Sequence, residues 1–235
     1  MLPEAKSAQN AAVTRPIVCY VTDRRALEGE NPQAALTSSI RDAVVAGVDW
    51  IQIREKDLSS RDLLHVAASA VRAAAKHREA ERTSVIVNDR LDVALAAGAS
   101  GVHLGEESIP AAEVVRWCRS GNAPAGFLVG VSCHSLSDAQ VAEAVGASYV
   151  IFGPVFDTPS KRPFGAPQGT QKLQELSSAV RVPVIAIGGI DEKTAADCLR
   201  AGAAGIAAIR LFQERRGAAE LAKRVAALHA LGVSG

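Results

Sequence analysis

Two groups of polar residues in the stretch 85–108 each follow a short apolar run. The first group is Asn88 and Asp89, and the second runs from Glu106 through Glu107 to Ser108. Carboxylate and amide oxygens bind hard cations such as Mg²⁺, and the cation in turn binds an anionic substrate. Asn and Asp also cap helices, so a structural role for Asn88 and Asp89 stays open on these residues alone.

Basic residues and glycines follow two other apolar runs. Arg54 and Lys56 lie in the segment QIREKD, where alternation along an extended chain places them on the same side. Arg offers a planar fork to anionic oxygens and Lys a point charge, so we interpret the pair as an anion clamp. Gly188 and Gly189 follow the run PVIAI, and glycines there let backbone N–H groups approach a phosphate.

A further histidine, His134, follows a third run and is compatible with either proton transfer or a structural role. Cys133 has no evident activating base, which predicts an inert thiol. His103 lies inside an apolar run, and we expect it to orient its neighbours.

Alternating apolar and amphipathic segments must position these groups. The predicted strands are 17–22, 50–53, 85–87, 100–103, 127–132, 148–152, 183–187 and 204–208. The predicted helices are 32–47, 59–77, 91–98, 110–119, 135–146, 169–180, 192–201 and 218–231. Eight such units predict an α/β protein, a (β/α)₈ TIM barrel in a single domain over residues 15–235, after a flexible N-terminal extension at residues 1–14. An open doubly wound sheet is the alternative, but neither nucleotide-binding glycine fingerprint occurs.

Composition narrows the class of protein. The 235 residues carry 26 basic and 25 acidic side chains without a basic block, which argues against nucleic-acid binding. Four cysteines without metal-finger spacing, and the lack of a long apolar run, predict a soluble cytoplasmic protein that does not bind a membrane. The sequence leaves the oligomeric state open, with a homo-oligomer among the options.

Eight motifs together resemble the thiamine phosphate synthase family, over about residues 17–212. They are YVTDR (20–24), QIREKD (52–57), VNDRLDVAL (87–95), GVHLGEES (101–108), GVSCHS (130–135), YVIFGPVFDTPSK (149–161), PVIAIGGI (183–190) and AGAAGIAAI (201–209). The resemblance implies a barrel enzyme that joins hydroxymethylpyrimidine diphosphate to a thiazole phosphate and releases diphosphate with the help of Mg²⁺. Its substrates would be these two small molecules.

The resemblance also implies roles for individual positions. Diphosphate would be held by Arg54, Lys56, Asn88 and Lys161, with Gln52 beside them. Asp89 would ligate Mg²⁺, and Ser132 would lie over the pyrimidine. The thiazole phosphate would face Thr158, Gly189 and the backbone of Ile209.

Two positions depart from the family pattern. The family usually reads HLGQED, whereas this chain has Ser108 in place of the second metal-binding aspartate. The substitution leaves three alternatives open. Glu106 or Glu107 replaces the missing carboxylate, water completes the metal shell, or metal binding is weaker. Arg210 stands where the family often has serine, and it either strengthens phosphate binding or points outward. Lys161 and Arg162 lie in a long loop that we expect to close over diphosphate.

Two other functions compete with the synthase. A thiazole tautomerase of the same fold would use His134 as its proton carrier and would need neither diphosphate nor Mg²⁺. A catalytically silent phosphate-binding module would keep the Gly188–Gly189 site and lose the metal. Lys56, Asp89 and the intact His103–Leu104–Gly105 favour the synthase over the tautomerase, whereas Ser108 mildly favours the tautomerase. Asp89 and Lys161 argue against the silent module.

Overall fold

Eight parallel strands form the centre of the structure and close into a barrel. The computed structural model describes residues 15–27, 29–76, 83–158, 166–214 and 217–233. The strands are β1 (Ile17–Val21), β2 (Trp50–Ile53), β3 (Ser84–Asn88), β4 (Gly101–Leu104), β5 (Leu128–Cys133), β6 (Tyr149–Phe152), β7 (Val184–Ile187) and β8 (Gly205–Ala208). Each strand pairs with the next along the chain, and β1 pairs with β8 to close the ring. The predicted barrel is therefore confirmed.

Helices surround the barrel and connect its strands. They are α1 (Pro32–Val45), α2 (Ser60–Lys76), α3 (Leu91–Ala97), α4 (Ala111–Trp117), α5 (Leu136–Val145), α6 (Gly169–Ala179), α7 (Glu192–Arg200), α8 (Arg210–Gln213) and α9 (Ala218–Ala230). Apart from α8, each of them lies close to its predicted bounds. The predicted N-terminal extension, the end of the second helix at His77 and the last two residues lie outside the described residues.

Local sequence signals account for the helix ends. The Asn31 side chain accepts a hydrogen bond from the Ala34 N–H at 3.0 Å and caps α1. Ser59 does the same for α2, where its hydroxyl accepts from the Asp62 N–H at 3.2 Å. Gly146 ends α5 in the left-handed conformation, with φ of 89°, which lets the chain turn directly into the next strand.

Alternation along the strands separates two apolar cores. The outer core lies between the sheet and the helices, and the inner core fills the barrel. Buried members of the inner core are Cys19, Val21, Ile86, Tyr149, Ile151, Ile185 and Ala207. Gln52 and Asn88 follow the inward-facing Trp50 and Ile86 by two residues, so they lie inside the barrel near its carboxyl-terminal mouth. This register positions the polar groups considered below.

At the opposite end of the barrel, a partly buried aspartate joins several elements. Asp49, just before β2, accepts hydrogen bonds from His229 Nε2 at 2.7 Å and from the Val18 N–H at 2.8 Å. Arg15 pairs with the same carboxylate. These contacts fasten α9 and the start of β1 to the base of the barrel, away from the mouth.

Four short elements of the described residues were not predicted from the sequence. They are 3₁₀ turns at Arg24–Ala26 and Leu231–Val233, a π-helical turn at Cys118–Asn122 and the helix α8. Each is shorter than the window over which hydrophobic periodicity is readable. In the described part of the chain, no helix has both the length and the apolar character that crossing a membrane requires.

Candidate active site

An amide pair lies inside the mouth of the barrel on β2 and β3. The Gln52 Nε2 donates a hydrogen bond to Asn88 Oδ1 at 2.9 Å, and the Gln52 side chain is only 3% exposed. Because its oxygen is occupied, Asn88 is left with its amide nitrogen, which has no partner within the described residues. An N–H donor without a protein partner at this position can bind an anionic oxygen.

The predicted anion clamp follows β2 directly. The Arg54 N–H donates to Thr22 Oγ1 at 2.9 Å, and Thr22 is fully buried at the end of β1. Arg54 is partly buried, whereas Lys56 is exposed in the turn that follows. The backbone of the clamp is thus attached to the neighbouring strand.

A salt-bridge network that sequence reasoning missed holds the other side of this segment. Arg24 donates to Asp57 at 2.6 and 2.9 Å and to Glu55 at 3.1 Å, and Glu55 is 5% exposed. The Arg24 hydrogen bonds hold the pKa of the Asp57 carboxyl below its usual value. The only sequence signal was the presence of opposite charges in YVTDR and QIREKD, which did not show that they meet.

Asp89 has an unusual backbone. Its φ is 68°, the only positive value at a non-glycine residue in the described part of the chain. Its N–H donates to the His103 carbonyl at 2.7 Å, which ties it to the end of β4. Asp tolerates this conformation better than most residues, but strain of this kind often accompanies a functional position.

The loop after β4 begins two residues beyond His103, whose carbonyl accepts the hydrogen bond from the Asp89 N–H. Glu106 and Glu107 are exposed, and Ser108 Oγ accepts a hydrogen bond from the Gly105 N–H at 2.8 Å. Among the described residues, no cluster of three or more acidic, His or Cys side chains could hold a metal alone. Mg²⁺ commonly takes one or two carboxylates and completes its shell with water and substrate phosphate. Asp89 with Ser108 or a neighbouring glutamate fits such a partial site.

A buried polar chain crosses from β4 to β5 and β6. The His103 Nε2 lies 2.9 Å from Ser132 Oγ, and His103 Nδ1 lies 3.2 Å from the Tyr149 hydroxyl. Burial, with a smaller contribution from the Arg54 charge, lowers the pKa of His103 to about 3. His103 is therefore neutral at physiological pH, and the expectation that it orients neighbours agrees with these contacts.

His134 lies at the rim, beyond the end of β5. Its Nδ1 lies 2.5 Å from the Gly153 carbonyl oxygen, which can only accept, so Nδ1 carries a proton. Its Nε2 lies 3.6 Å from Glu106 Oε1. Cys133 next to it is buried, and burial raises the pKa of its thiol to about 12, which agrees with the predicted inert role.

The ends of β6, β7 and β8 form the other half of the mouth. Gly188 and Gly189 have φ of 98° and 65°, and a Cβ on Gly189 would lie 2.7 Å from the Asp157 carbonyl oxygen. Glycine is required there by both conformation and space. Thr158 is buried, and its Oγ1 accepts a hydrogen bond from Arg210 at 3.1 Å.

The helix α8 begins immediately after Ile209, and Arg210 is exposed apart from its bond to Thr158. A short extra helix beside the loops after strands seven and eight is a frequent phosphate site in barrels. Lys161 and the predicted lid at Lys161–Arg162 lie outside the described residues.

A closed parallel barrel with polar side chains gathered at its carboxyl-terminal mouth defines an α/β-barrel enzyme. Residues 18–212 match the family model described as thiamine monophosphate synthase, and the chain belongs to that family.

Curated relatives and a solved structure support this assignment. A thiamine-phosphate synthase of Methanoculleus marisnigri is 46% identical over 173 residues, which cover 74% of this chain and 78% of the relative. One from Roseiflexus sp. is 42% identical over 193 residues, or 82% of this chain and 76% of the relative. A solved thiamine phosphate pyrophosphorylase from Pyrococcus furiosus superposes with a TM-score of 0.75 at 30% identity, covering 95% of this chain and 99% of that chain. The family predicted from the sequence motifs is confirmed.

Proposed function

We propose that this chain is a transferase that joins hydroxymethylpyrimidine diphosphate to a thiazole phosphate, forming thiamine phosphate and diphosphate. Family membership supports the reaction class. The observation that carries the assignment to this site is the Gln52–Asn88 hydrogen bond of 2.9 Å beside Asp89. It leaves the Asn88 amide N–H free for a ligand, next in the chain to the Asp89 carboxylate, and a metal-bound diphosphate needs a group of each kind.

The first task of the site is to stabilise the departing diphosphate. Arg54 and Lys56 supply positive charge, and the Asn88 amide nitrogen donates to a phosphate oxygen. Gln52 holds the Asn88 oxygen so that its nitrogen stays available. In the family reaction the pyrimidine methylene becomes a delocalised cation as diphosphate leaves, so charge stabilisation on the leaving group lowers the barrier. We assign Lys161 to the same diphosphate from the sequence motif.

Mg²⁺ is the cation that the donor set fits, with Asp89 as its anionic protein ligand. When bound, it would neutralise charge on the diphosphate oxygens. Ser108 and Glu107 complete the protein side of the site, either directly or through water. The Ser108 hydroxyl oxygen has two lone pairs, and only one of them accepts the hydrogen bond from the Gly105 N–H. The other lone pair is available to a cation or to water.

The second task is to hold the acceptor. Ser132 lies inside the mouth beside the pyrimidine position, and the turn at Gly189 together with Thr158 receives the thiazole phosphate. The Ile209 backbone at the start of α8 contributes N–H groups to the same phosphate, and Arg210 adds charge. The Arg210–Thr158 hydrogen bond supports the reading in which Arg210 strengthens phosphate binding. We place the reaction in the cytoplasm, with both substrates as free small molecules.

A thiazole tautomerase is the second candidate, and His134 favours it. Its Nε2 lies at the rim near Glu106, where a proton could be exchanged with a bound ring. In this function, Lys56 and Asp89 would have no role. His134 is expected to contact substrate in either case, and only the tautomerase needs it to carry a proton.

The deciding experiment mixes the purified protein with both substrates, with and without Mg²⁺, and follows diphosphate release and thiamine phosphate formation. Equal amounts of the two products, formed only with Mg²⁺, support the synthase. Isomerisation of the thiazole phosphate without diphosphate release, lost in His134→Gln, would replace it with the tautomerase. Phosphate binding without either reaction would indicate the silent module.

A further inference from the structure

The His103–Tyr149 pair is the most deeply buried polar pair among the described side chains of the barrel interior, with 2% and 1% of each residue exposed. The Tyr149 ring packs against Gly130 of β5, where any side chain would collide with it. The same ring also packs against Trp50, with 4.6 Å between ring centroids. The tyrosine hydroxyl is thus held in place beside His103.

Matching each donor with an acceptor determines which atom of Tyr149 and His103 holds each proton. Within the described residues, His103 Nδ1 is the sole hydrogen-bond partner of the Tyr149 hydroxyl. A buried hydroxyl proton without an acceptor is costly, so the tyrosine donates and Nδ1 accepts. A neutral imidazole carries one proton, which must then lie on Nε2. His103 Nε2 therefore donates to Ser132 Oγ at 2.9 Å.

This direction has a consequence for Ser132. Its oxygen accepts from His103, and its own proton has no acceptor in the described part of the chain. Ser132 is partly exposed at the carboxyl end of β5, where a bound molecule can reach it. The serine is thereby set up to donate a hydrogen bond outward.

We propose that His103 and Tyr149 are positioning residues that set Ser132 as a hydrogen-bond donor to a lone-pair acceptor, such as a pyrimidine ring nitrogen, on the substrate. The chemical identity of that substrate rests on the proposed function, whereas the proton arrangement does not. The site then favours a heterocycle with a bare nitrogen facing Ser132 over one that presents an N–H there. We call the hydrogen-bonded chain Tyr149–His103–Ser132 the relay. It fixes the direction in which Ser132 donates its proton and takes no part in bond breaking.

The proton arrangement can be measured without turnover. In protein labelled with ¹⁵N-histidine, the shifts of the two ring nitrogens show which one is protonated. The chain has five histidines. The His103 signals are identified by their loss in His103→Gln, or by elimination with Gln variants of the other four histidines. We expect the Nε2-protonated form, without titration between about pH 5 and about pH 9.

Tyr149→Phe tests the origin of this preference with little change in shape. We expect loss of the single tautomer, because Nδ1 no longer receives a proton donor. Tyr20→Phe is the matched control, since Tyr20 is the other buried tyrosine and bonds to Ser39 and Gln213 instead. We expect Tyr20→Phe to keep the wild-type His103 shifts.

Kinetics connect the relay to substrate. In Tyr149→Phe we expect kcat for coupling to fall about tenfold, or about 1.4 kcal/mol, while KM for the thiazole phosphate stays unchanged. Tyr20→Phe should retain wild-type kcat. Ser132→Ala should lower kcat at least as much as Tyr149→Phe does, and adding Tyr149→Phe to Ser132→Ala should lower kcat no further.

The outcomes separate the two proposals. If the wild type does not couple the substrates, the proposed function fails, and the ¹⁵N shifts still decide whether the relay exists. An Nδ1-protonated His103 in the wild type would overturn the relay, as would unchanged His103 shifts in Tyr149→Phe. If coupling is equally fast in Tyr149→Phe and in the wild type, the Tyr149–His103 pair has no role in the reaction.

Discussion

Arg24 donates two hydrogen bonds to Asp57, at 2.6 and 2.9 Å, across the gap between the ends of β1 and β2. The same guanidinium reaches the buried Glu55. Glu55 and Asp57 alternate in sequence with Arg54 and Lys56, so the contacts with Arg24 also restrain the segment that carries the two basic residues. We therefore infer that Arg24 positions the proposed anion clamp without being part of it.

Arg24→Ala should release this segment and weaken catalysis. We expect kcat/KM for the pyrimidine diphosphate to fall by on the order of 100-fold, because misplacing Arg54 and Lys56 disturbs the leaving-group site. Binding of the thiazole phosphate, measured by calorimetry, should change little. Arg24→Lys should recover only part of the loss, since lysine cannot make the paired contact with Asp57.

Arg25→Ala is the matched control for Arg24. Arg25 is the next residue and is largely exposed, with a 3.8 Å ion pair to Asp23 as its described contact. Its removal should leave kinetics at wild-type values. Equal losses in both variants would show that the effect is one of general charge and would contradict the positioning role.

Asp89→Asn isolates the charge of the proposed metal ligand from its backbone strain. Asparagine also tolerates a φ of 68°, so the fold should be retained. We expect coupling to fall by on the order of 100-fold or more and to recover partly at high Mg²⁺. Asp89→Ala should be at least as severe, because it also loses the side chain that suits this conformation.

Asp92→Asn provides the comparison for Asp89. Asp92 lies in the first turn of α3 and pairs with Arg90 outside the mouth. Mg²⁺ titrations of the two variants should differ, with a shift for Asp89→Asn alone. Near-wild-type turnover of Asp89→Asn at limiting Mg²⁺ would remove Asp89 from the metal site.

Ser108→Asp introduces the carboxylate that the family motif implies at this position. An aspartate can accept from the Gly105 N–H with one oxygen and offer the other to a cation. We expect the Mg²⁺ concentration at half-maximal rate to fall by on the order of tenfold, equivalent to about 1.4 kcal/mol. Ser108→Asn has the same size without charge, and an equal shift there would argue against metal ligation at this position.

Asp49→Asn should destabilise the barrel without affecting its chemistry. Burial alone would raise the pKa of Asp49, but hydrogen bonds from His229, the Val18 N–H and Arg15 outweigh it and lower that pKa. The charged carboxylate therefore stabilises the fold above the unfolded pKa of about 3.9, and this contribution is lost as pH falls through the folded pKa. We expect a loss of about 1–3 kcal/mol in the free energy of unfolding at pH 7.

Denaturant unfolding at several pH values tests the role of Asp49. The difference between Asp49→Asn and the wild type should shrink in acid, where both side chains are neutral. Asp42→Asn in α1 is the control, since the described contacts of Asp42 are through its backbone. A difference that is constant with pH would show that the charge of Asp49 is not responsible.

His103 predicts a second pH dependence of stability. Its folded pKa is about 3, whereas an unfolded histidine takes up a proton near pH 6.5. The free energy of unfolding should therefore fall as pH decreases from about 6.5 towards 3, by at most about 1.4 kcal/mol per pH unit. In His103→Gln this slope should be lost, whereas in His65→Gln, which alters an exposed histidine, it should remain. The same slope in all three proteins would contradict a neutral buried His103.

Local sequence patterns determined the strands, the long helices and the barrel. Apolar runs of strand length alternate with helical periodicity, and capping residues such as Asn31 act on neighbours a few positions away. The repeated order of these units leaves few topologies, because parallel strands need right-handed helical crossovers. The motifs also placed Gln52, Asn88 and Asp89 at strand ends, where a barrel gathers them. Their roles in catalysis stay predictions for the experiments above.

The tertiary structure alone decided which of these groups meet, and the direction of proton donation that we propose follows from those contacts. Arg24 and Asp57 are 33 residues apart, and His103 and Tyr149 are 46 apart. A hydrogen bond forms only when donor and acceptor are placed to within a few tenths of an ångström. The chain achieves this placement only when β1 lies beside β2 and β4 lies near β6. The sequence contained the donors and acceptors, but the strand register and packing around Gly130 determined their partners.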